Sequence, residues 1–269
     1  MILCQYTEMQ LVITDKSKVN QLVAIFRHLN GIVTDANINL KPDSIYIQGM
    51  DSSHACLVEI NIEKSWFDDF ECDDGTMGVN CEMLFKIIDC WKEDQEITIY
   101  TKNNNNLFID FVGSKHIDKQ FSLPLIDIDS DVMIIPEKEY DVDLVLKSDD
   151  FKELISELAI FNTCLNLHCS AEDEEVVISA NGGLGSMQVV IKNDDILELA
   201  ISENLNLSVT YAISYINTMC SFSKLNKAVY IHSSDDIPLK LHYSLDDSDS
   251  ENSKNYVRFY LAPKLMDEF

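Results

Sequence analysis

The sequence predicts an α+β protein built from two similar halves, each with two helices and several antiparallel strands. Three observations predict it. Short runs of alternating apolar and polar residues outnumber helical stretches throughout. Each half holds two segments whose apolar residues recur at three- and four-residue steps. A proline-flanked segment, Pro124 to Pro136, parts the halves. The expected domains are residues 1–123 and 140–269, with 124–139 as the connecting loop.

The first half opens with a strand over residues 1–7 and another near Gln10–Thr14. A helix follows, with Val19, Leu22, Val23, Phe26 and Leu29 on one face and Asp15 or Ser17 as N-cap. Alternating runs at Ala36–Leu40, Ser44–Gln48, Ala55–Ile62 and Trp66–Cys72 read as strands. A second helix is expected from about Cys81 to Trp91. Strands at Glu96–Tyr100, Leu107–Val112 and about His116–Leu123 close the half.

The second half repeats the plan. A strand at Tyr140–Leu146 precedes a helix at Asp149–Ile160, with Phe151, Leu154, Ile155 and Leu158 on one face. Strands at Leu165–Cys169, Glu175–Ala180, Met187–Ile191 and Leu207–Thr210 lead to a helix at Tyr211–Cys220. Ala228–Ser233, Leu239–Ser244 and Tyr256–Ala262 finish the chain as strands. Ile38-Asn39-Leu40 ahead of Ile45-Tyr46-Ile47 matches Leu165-Asn166-Leu167 ahead of Val176-Val177-Ile178, a trace of internal duplication.

Prolines at both ends of the connecting segment favour extended backbone. An extended chain places Asp127, Asp129 and Asp131 on one side and Ile126, Ile128 and Ser130 on the other, so one side is held down. The acidic stretch Asp246–Glu251 reads as a solvated hairpin loop.

Composition excludes several classes. Hydrophobic residues make up 46% of 269, enough for a core, and Gly and Pro are few. The first residues lack the basic-then-apolar order of a secretory signal, and no apolar run approaches the roughly 20 residues of a membrane span, so no membrane association is expected. The eight cysteines are scattered without metal or redox spacing, which reads as buried reduced thiols. A net charge of −26, from 46 acidic and 20 basic residues, argues against ordinary nucleic-acid binding through counterion release.

Catalytic and ligand motifs fail one by one. Asp127-x-Asp129-x-Asp131 copies the start of a calcium loop, but Val132 and Lys138 stand where its Gly and Glu belong. Asp51-Ser52-Ser53-His54 gathers an acid, hydroxyls and an imidazole, yet a triad is a spatial arrangement and no G-x-S-x-G elbow is present; turn chemistry is the better reading. No glycine-rich phosphate cradle occurs, and the six histidines are isolated. The chain is read as no enzyme, with no cofactor and no metal.

Five segments carry a resemblance. They are Ile45–Leu57, which contains Gln48-Gly49-Met50-Asp51, then Met77–Asn80, Ile135–Tyr140, Asp236–Leu239 and Tyr260–Lys264. In this order, across nearly the whole chain, they resemble the proliferating cell nuclear antigen family, the eukaryotic-type DNA sliding clamps. The resemblance implies the DNA clamp fold: two like domains per subunit, and three subunits closing head-to-tail into a homotrimer around double-stranded DNA. It also implies a polymerase processivity factor that tethers DNA polymerase, flap endonuclease and DNA ligase, is opened by a clamp loader, and works in the nucleus or a viral replication compartment. The acidic composition then fits, because a threaded ring stays on DNA without tight phosphate contacts.

The resemblance also assigns residues. Partners of the family insert a short peptide, the PCNA-interacting motif, into a pocket that would here be lined by Met50, His54, Leu57, Met133, Ile135, Pro136, Pro238, Tyr260, Leu261, Ala262 and Pro263. Subunits would meet through the stretches about His116–Leu123 and about Leu184–Lys192, with Phe121, Met187 and Val189 at the joint. The DNA-facing helices depart from the family. Lys86 falls on a basic position, but Val23, Ala24, Asn30, Asp89, Glu153, Ser156 and Ser221 replace others. Lys16, Lys18, Arg27, Lys92, Lys152 and Lys224 are the substitutes, which predicts weak direct DNA affinity with a shallow salt dependence. The position of a modifiable lysine in the family carries Asp173. Two alternatives stand beside this reading: a non-ring viral processivity factor of the same fold that binds DNA and polymerase directly, and, last, a hydrolase using Ser53 and His54.

Overall fold

The computed structural model describes residues 8–264 except 104, 131, 137, 173, 174 and 247–250. The strand expected over 1–7, Asp131, Asp173 and the middle of the acidic loop therefore lie outside the described residues. The chain groups into two compact units. The first holds the residues up to Ser52, Val58–Met133 and Lys254–Tyr256; the second holds Ser53–Leu57, Ile134–Ser253 and the residues from Val257 on.

In chain order the elements are β1 (Met9–Ile13), α1 (Lys16–Leu29), β2 (Asp35–Lys41), β3 (Ser44–Met50), β4 (Cys56–Glu63), β5 (Asp69–Cys72), β6 (Gly75–Asn80), α2 (Cys81–Ile88), β7 (Gln95–Asn103), β8 (Asn106–Gly113) and β9 (Lys119–Pro124). The order then repeats as β10 (Val142–Lys147), α3 (Ser148–Leu158), β11 (Cys164–Ser170), β12 (Glu175–Gly182), β13 (Gly185–Ile191), β14 (Ile196–Ile201), β15 (Asn206–Ala212), α4 (Ile213–Cys220), β16 (Ala228–Ser233), β17 (Leu239–Ser244) and β18 (Tyr256–Leu261). Strands of the first unit line up as β5-β1-β7-β8-β9 and as β4-β3-β2-β6; those of the second line up as β14-β10-β16-β17-β18 and as β13-β12-β11-β15. The two plans coincide: β1 sits between β5 and β7 as β10 sits between β14 and β16. The duplicated letters fall on equivalent strands, Ile38–Leu40 on β2 and Leu165–Leu167 on β11.

Local chemistry sets the boundaries. Asp15 caps α1, its Oδ1 accepting from Lys18 N at 3.0 Å, and Val19, Leu22, Ile25, Phe26 and Leu29 form the buried stripe. Asn80 caps α2 through Met83 N at 3.0 Å. That helix stops at Ile88 instead of Trp91, because the Trp91 indole N–H donates to Gln95 O at 2.6 Å and fixes a turn into β7. The run Trp66–Cys72 is strand only from Asp69; Lys64–Trp66 is a 3-10 turn, and Trp66 and Phe67 pack edge to face at 5.1 Å. The helix α3 ends at Leu158, leaving Ile160 77% exposed, and Tyr211 belongs to β15, opposite Leu165, instead of opening α4. Two strands escape sequence reading. The β6 segment carries Gly75 and Gly78, which disfavour strand, and β14 is apolar on both faces.

In the second unit the helices cover one face of the sheet that holds β10. Phe151 and Ile155 of α3 and Ile216 of α4 meet Leu144, Leu167 and Ile231. Phe259 is fully buried, 4.9 Å from the Phe222 ring and 6.4 Å from Tyr243. Phe259→Ala is expected to cost about 3–5 kcal/mol, read from the denaturant midpoint; a loss below about 1 kcal/mol would contradict this packing.

The other face of that sheet buries two histidines beside the apolar Val145, Ala228 and Tyr230. His232, 2% exposed, pairs through Nδ1 with Asp143 Oδ1 at 2.6 Å, and His242, fully buried, accepts at Nδ1 from Arg258 Nε at 2.9 Å. The described ends of the acidic loop are tied down rather than freely solvated: Ser253 Oγ donates to Asp246 Oδ2 at 2.6 Å, and Glu251 lies 3.3 Å from Lys240 Nζ.

Candidate partner surface, strand edges and helical face

In the first unit the connecting segment is fastened by the sheet. Ile126 N donates to Gly78 O at 2.9 Å. A Cβ on Gly78 would lie 2.2 Å from Ile126 O, so the close approach requires glycine there. Asn37 Nδ2 donates to Ile128 O at 3.1 Å and to Ser130 Oγ at 3.0 Å. Gln48 closes a two-bond ring with Met133: Nε2 to Met133 O at 3.0 Å and Met133 N to Oε1 at 2.7 Å. Gln48 is itself held by Tyr46, whose hydroxyl donates to Glu59 at 3.0 Å. Burial, with Glu59 alongside, raises the Tyr46 pKa, so the phenol keeps its proton. Asp127 and Asp129 are exposed while Ile128 is half-buried. Met133 is 49% exposed, and Met50 is half-exposed at the end of β3.

The second unit gathers most of the other residues assigned to the pocket. Ala262 N donates to Ala55 O at 3.0 Å, which lays the end of the chain against residues 53–57. Lys264 N donates to Thr210 O at 2.8 Å and extends that course along β15. Along β18, Val257, Phe259 and Leu261 face inward, and Arg258 and Tyr260 face outward. Leu261 is 1% exposed, so its side chain belongs to the core; Tyr260, Ala262 and Pro263 present the surface. Leu57, 7% exposed, can only be floor. Pro238 and Pro136 are exposed, Ile135 is half-buried, and Tyr140 OH donates to Pro238 O at 3.3 Å. His54 is exposed in a left-handed turn at φ 59°, and the Ser53 hydroxyl lies 2.5 Å from Tyr215 OH. This is turn chemistry rather than an activated nucleophile.

β9 in the first unit and β13 in the second lie at ends of their rows, as do β5, β6, β14 and β15. Phe121 on β9 is half-buried against Phe111 at 5.4 Å. Met187 and Val189 on β13 lie opposite Ala180 and Ile178 and are half-buried, while Val190 is 44% exposed. Leu184 at the preceding turn is fully exposed.

On the helices of the first unit the basic residues are already engaged. Lys16 Nζ lies 2.8 Å from Glu93, Arg27 2.5 Å from Asp89, and Lys86 2.5 Å from Glu82. Lys18 Nζ stands 5.7 Å above the Trp66 ring. In the second unit Lys152 is half-buried on α3 beside exposed Glu153, Lys224 is exposed, and α4 carries no charge.

A duplicated α+β unit with helices on one side, strands that end their rows among the described residues, and a fastened connecting segment is the fold of a DNA sliding clamp. Comparison with known proteins bears on this directly. The family model of the proliferating cell nuclear antigen N-terminal domain matches residues 11–133, and that of the C-terminal domain matches 134–264. A relative from Chaetomium thermophilum named proliferating cell nuclear antigen is 28% identical over 250 residues, spanning 89% of this chain and 93% of its own length. The chain belongs to the proliferating cell nuclear antigen family, whose role is that of DNA sliding clamp and polymerase processivity factor, a non-catalytic scaffold.

Proposed function

We propose that three copies of this chain close head-to-tail around duplex DNA in the nucleus and hold DNA polymerase, flap endonuclease and DNA ligase there, after placement by a clamp loader. Residues 1–123 and 140–269 act as the two clamp domains and 124–139 as their connecting loop. The observation that carries the partner surface is the Ala262–Ala55 backbone bond, which sets the half-buried Tyr260 and Pro263 and the exposed Ala262 beside the His54 turn. A rigid aromatic flanked by small and proline residues suits a short apolar peptide anchor. Tethering works through effective concentration, since a held enzyme rebinds before it diffuses away.

The strand edges support the assembly. An open edge invites pairing, and pairing of two different edges is a heterologous contact that closes a ring when its rotation allows. The test is polymerase run length with a loader on circular and linear templates: long products on circles and short ones on linear DNA are expected, and equal lengths would oppose the threaded ring. Tyr260→Ala is expected to weaken an isolated partner peptide, one with a Gln followed by an aliphatic and two aromatic anchors, by about 10- to 30-fold in calorimetry. Unchanged affinity would remove Tyr260 from the surface.

A further inference from the structure

We propose that Glu82, Asp89 and Glu93 act as internal stand-ins for DNA phosphate, occupying the basic residues of the α1–α2 face and keeping DNA contact weak. The inference rests on the reading that this helical face looks onto DNA. The structure supplies the pairs. The Lys16, Arg27 and Lys86 side chains each place a nitrogen 2.5–2.8 Å from a carboxylate oxygen. Arg27 is further fixed above the Phe85 ring at 5.6 Å, so its guanidinium is positioned for Asp89. The Lys86 ammonium holds the Glu82 carboxyl below its ordinary pKa through their hydrogen bond.

A carboxylate oxygen and a phosphate oxygen are the same kind of partner for these cations: anionic acceptors of an N–H bond. All six side chains are about half exposed or more, so each pair is weak and phosphate can exchange into it. The displaced carboxylate stays within a few ångströms and repels the incoming phosphate. Each cation therefore gains little by the exchange, and few counterions are released from the DNA. A surface of this kind touches the backbone without gripping it, which suits a protein that must slide.

The test uses the full chain and a fluorescein-labelled 30-base-pair duplex, with anisotropy followed over a salt series. Glu82→Gln, Asp89→Asn and Glu93→Gln together are expected to tighten binding about tenfold at low salt, a few-fold per released cation. They should also steepen the log–log salt slope by about 0.9 for each cation that gains a phosphate. The same change of charge on β5 and the turn after it, Glu71→Gln with Asp73→Asn and Asp74→Asn, should give less than half that gain. An equal gain there would overturn the proposal in favour of bulk charge. Lys16→Ala, Arg27→Ala and Lys86→Ala together separate the remaining cases. If they weaken binding while freeing the cations gains nothing, the face meets DNA but the carboxylates do not compete, and the proposal fails alone. If neither set changes binding, the face does not meet DNA and both readings fall. Each triple variant is also split into its single substitutions at these exposed positions, so a folding defect in one leaves the others to decide.

Discussion

With Met187→Asp and Val189→Asp together, the protein is expected to run as one subunit in light scattering where the unaltered chain runs as three. Both residues lie on β13, the last strand of its row, so the opposite side of that strand has no partner within the row. Their side chains share a face with Ala180 and Ile178, 1% and 2% exposed, so they border the core and are half covered before any neighbour arrives. Pairing β13 with the β9 edge of another copy would complete that cover. A carboxylate buried in such a joint costs several kcal/mol unless a cation meets it, and two per joint weaken it by more than about a thousandfold. The circular dichroism spectrum should stay that of the unaltered protein, and peptide binding at Tyr260 should persist, because those residues lie on β18 and beyond. Loss of run length on circular templates should accompany the single subunit. A variant that still weighs three subunits would place the joint elsewhere.

Acidification from pH 7 to pH 5 should weaken the fold, and His242→Gln should remove a large part of that loss. Burial first, then the nearby charges of Arg258, Lys240 and His232, depress the His242 pKa from 6.5 to about 2. The folded protein thus keeps the imidazole neutral across this range, while the unfolded chain takes up a proton as pH falls below about 6.5. The unfolded state binds more protons, so stability falls with pH, by about 1.4 kcal/mol per unit between those limits. At pH 5 the loss is about 2 kcal/mol from this residue. His232, also depressed by burial and by Lys240, adds to it in the same direction, opposed by Asp143 and Glu251. Glutamine keeps an acceptor for Arg258, so the variant isolates the titration. Protonation of surface carboxylates relieves self-repulsion in a chain of net charge −26 and acts oppositely, which is why the difference between the two proteins is the quantity to measure. Parallel stability–pH curves from urea melts would refute the assignment.

Much of the fold was legible because periodicity and duplication act locally. The α1 stripe, the Asp15 cap and the strands β16 and β17 follow from residue pattern alone. What was illegible depends on distant neighbours. Gly75 and Gly78 make β6 look like a turn until β2 pairs with it and Ile126 crosses it. Tyr211 carries a helical pattern yet pairs with Leu165 in β15. The ends of α2 and α3 were overread because Trp91 and Ile160 continue the apolar spacing after the helical bonds have stopped.

For the site, the segments that matter were visible as motifs, but their division of labour was not. Leu261 reads as a surface candidate in sequence, and strand alternation turns it inward between the outward-facing Tyr260 and the exposed Ala262. Gln48 was visible only as part of a motif; its pair of hydrogen bonds with Met133 needs residues 85 positions apart. The ion pairs of Lys16 and Arg27 join residues 77 and 62 positions apart in the first half, so counting basic residues could not show that these cations have carboxylate partners.

The fastening between Ile126 and Met133 is made largely to main-chain atoms, with the recognising side chains, Asn37 and Gln48, supplied from β2 and β3. Its route is thus written elsewhere in the gene. Changes at its exposed Asp127 and Asp129 would alter which visitors it greets and leave those bonds in place.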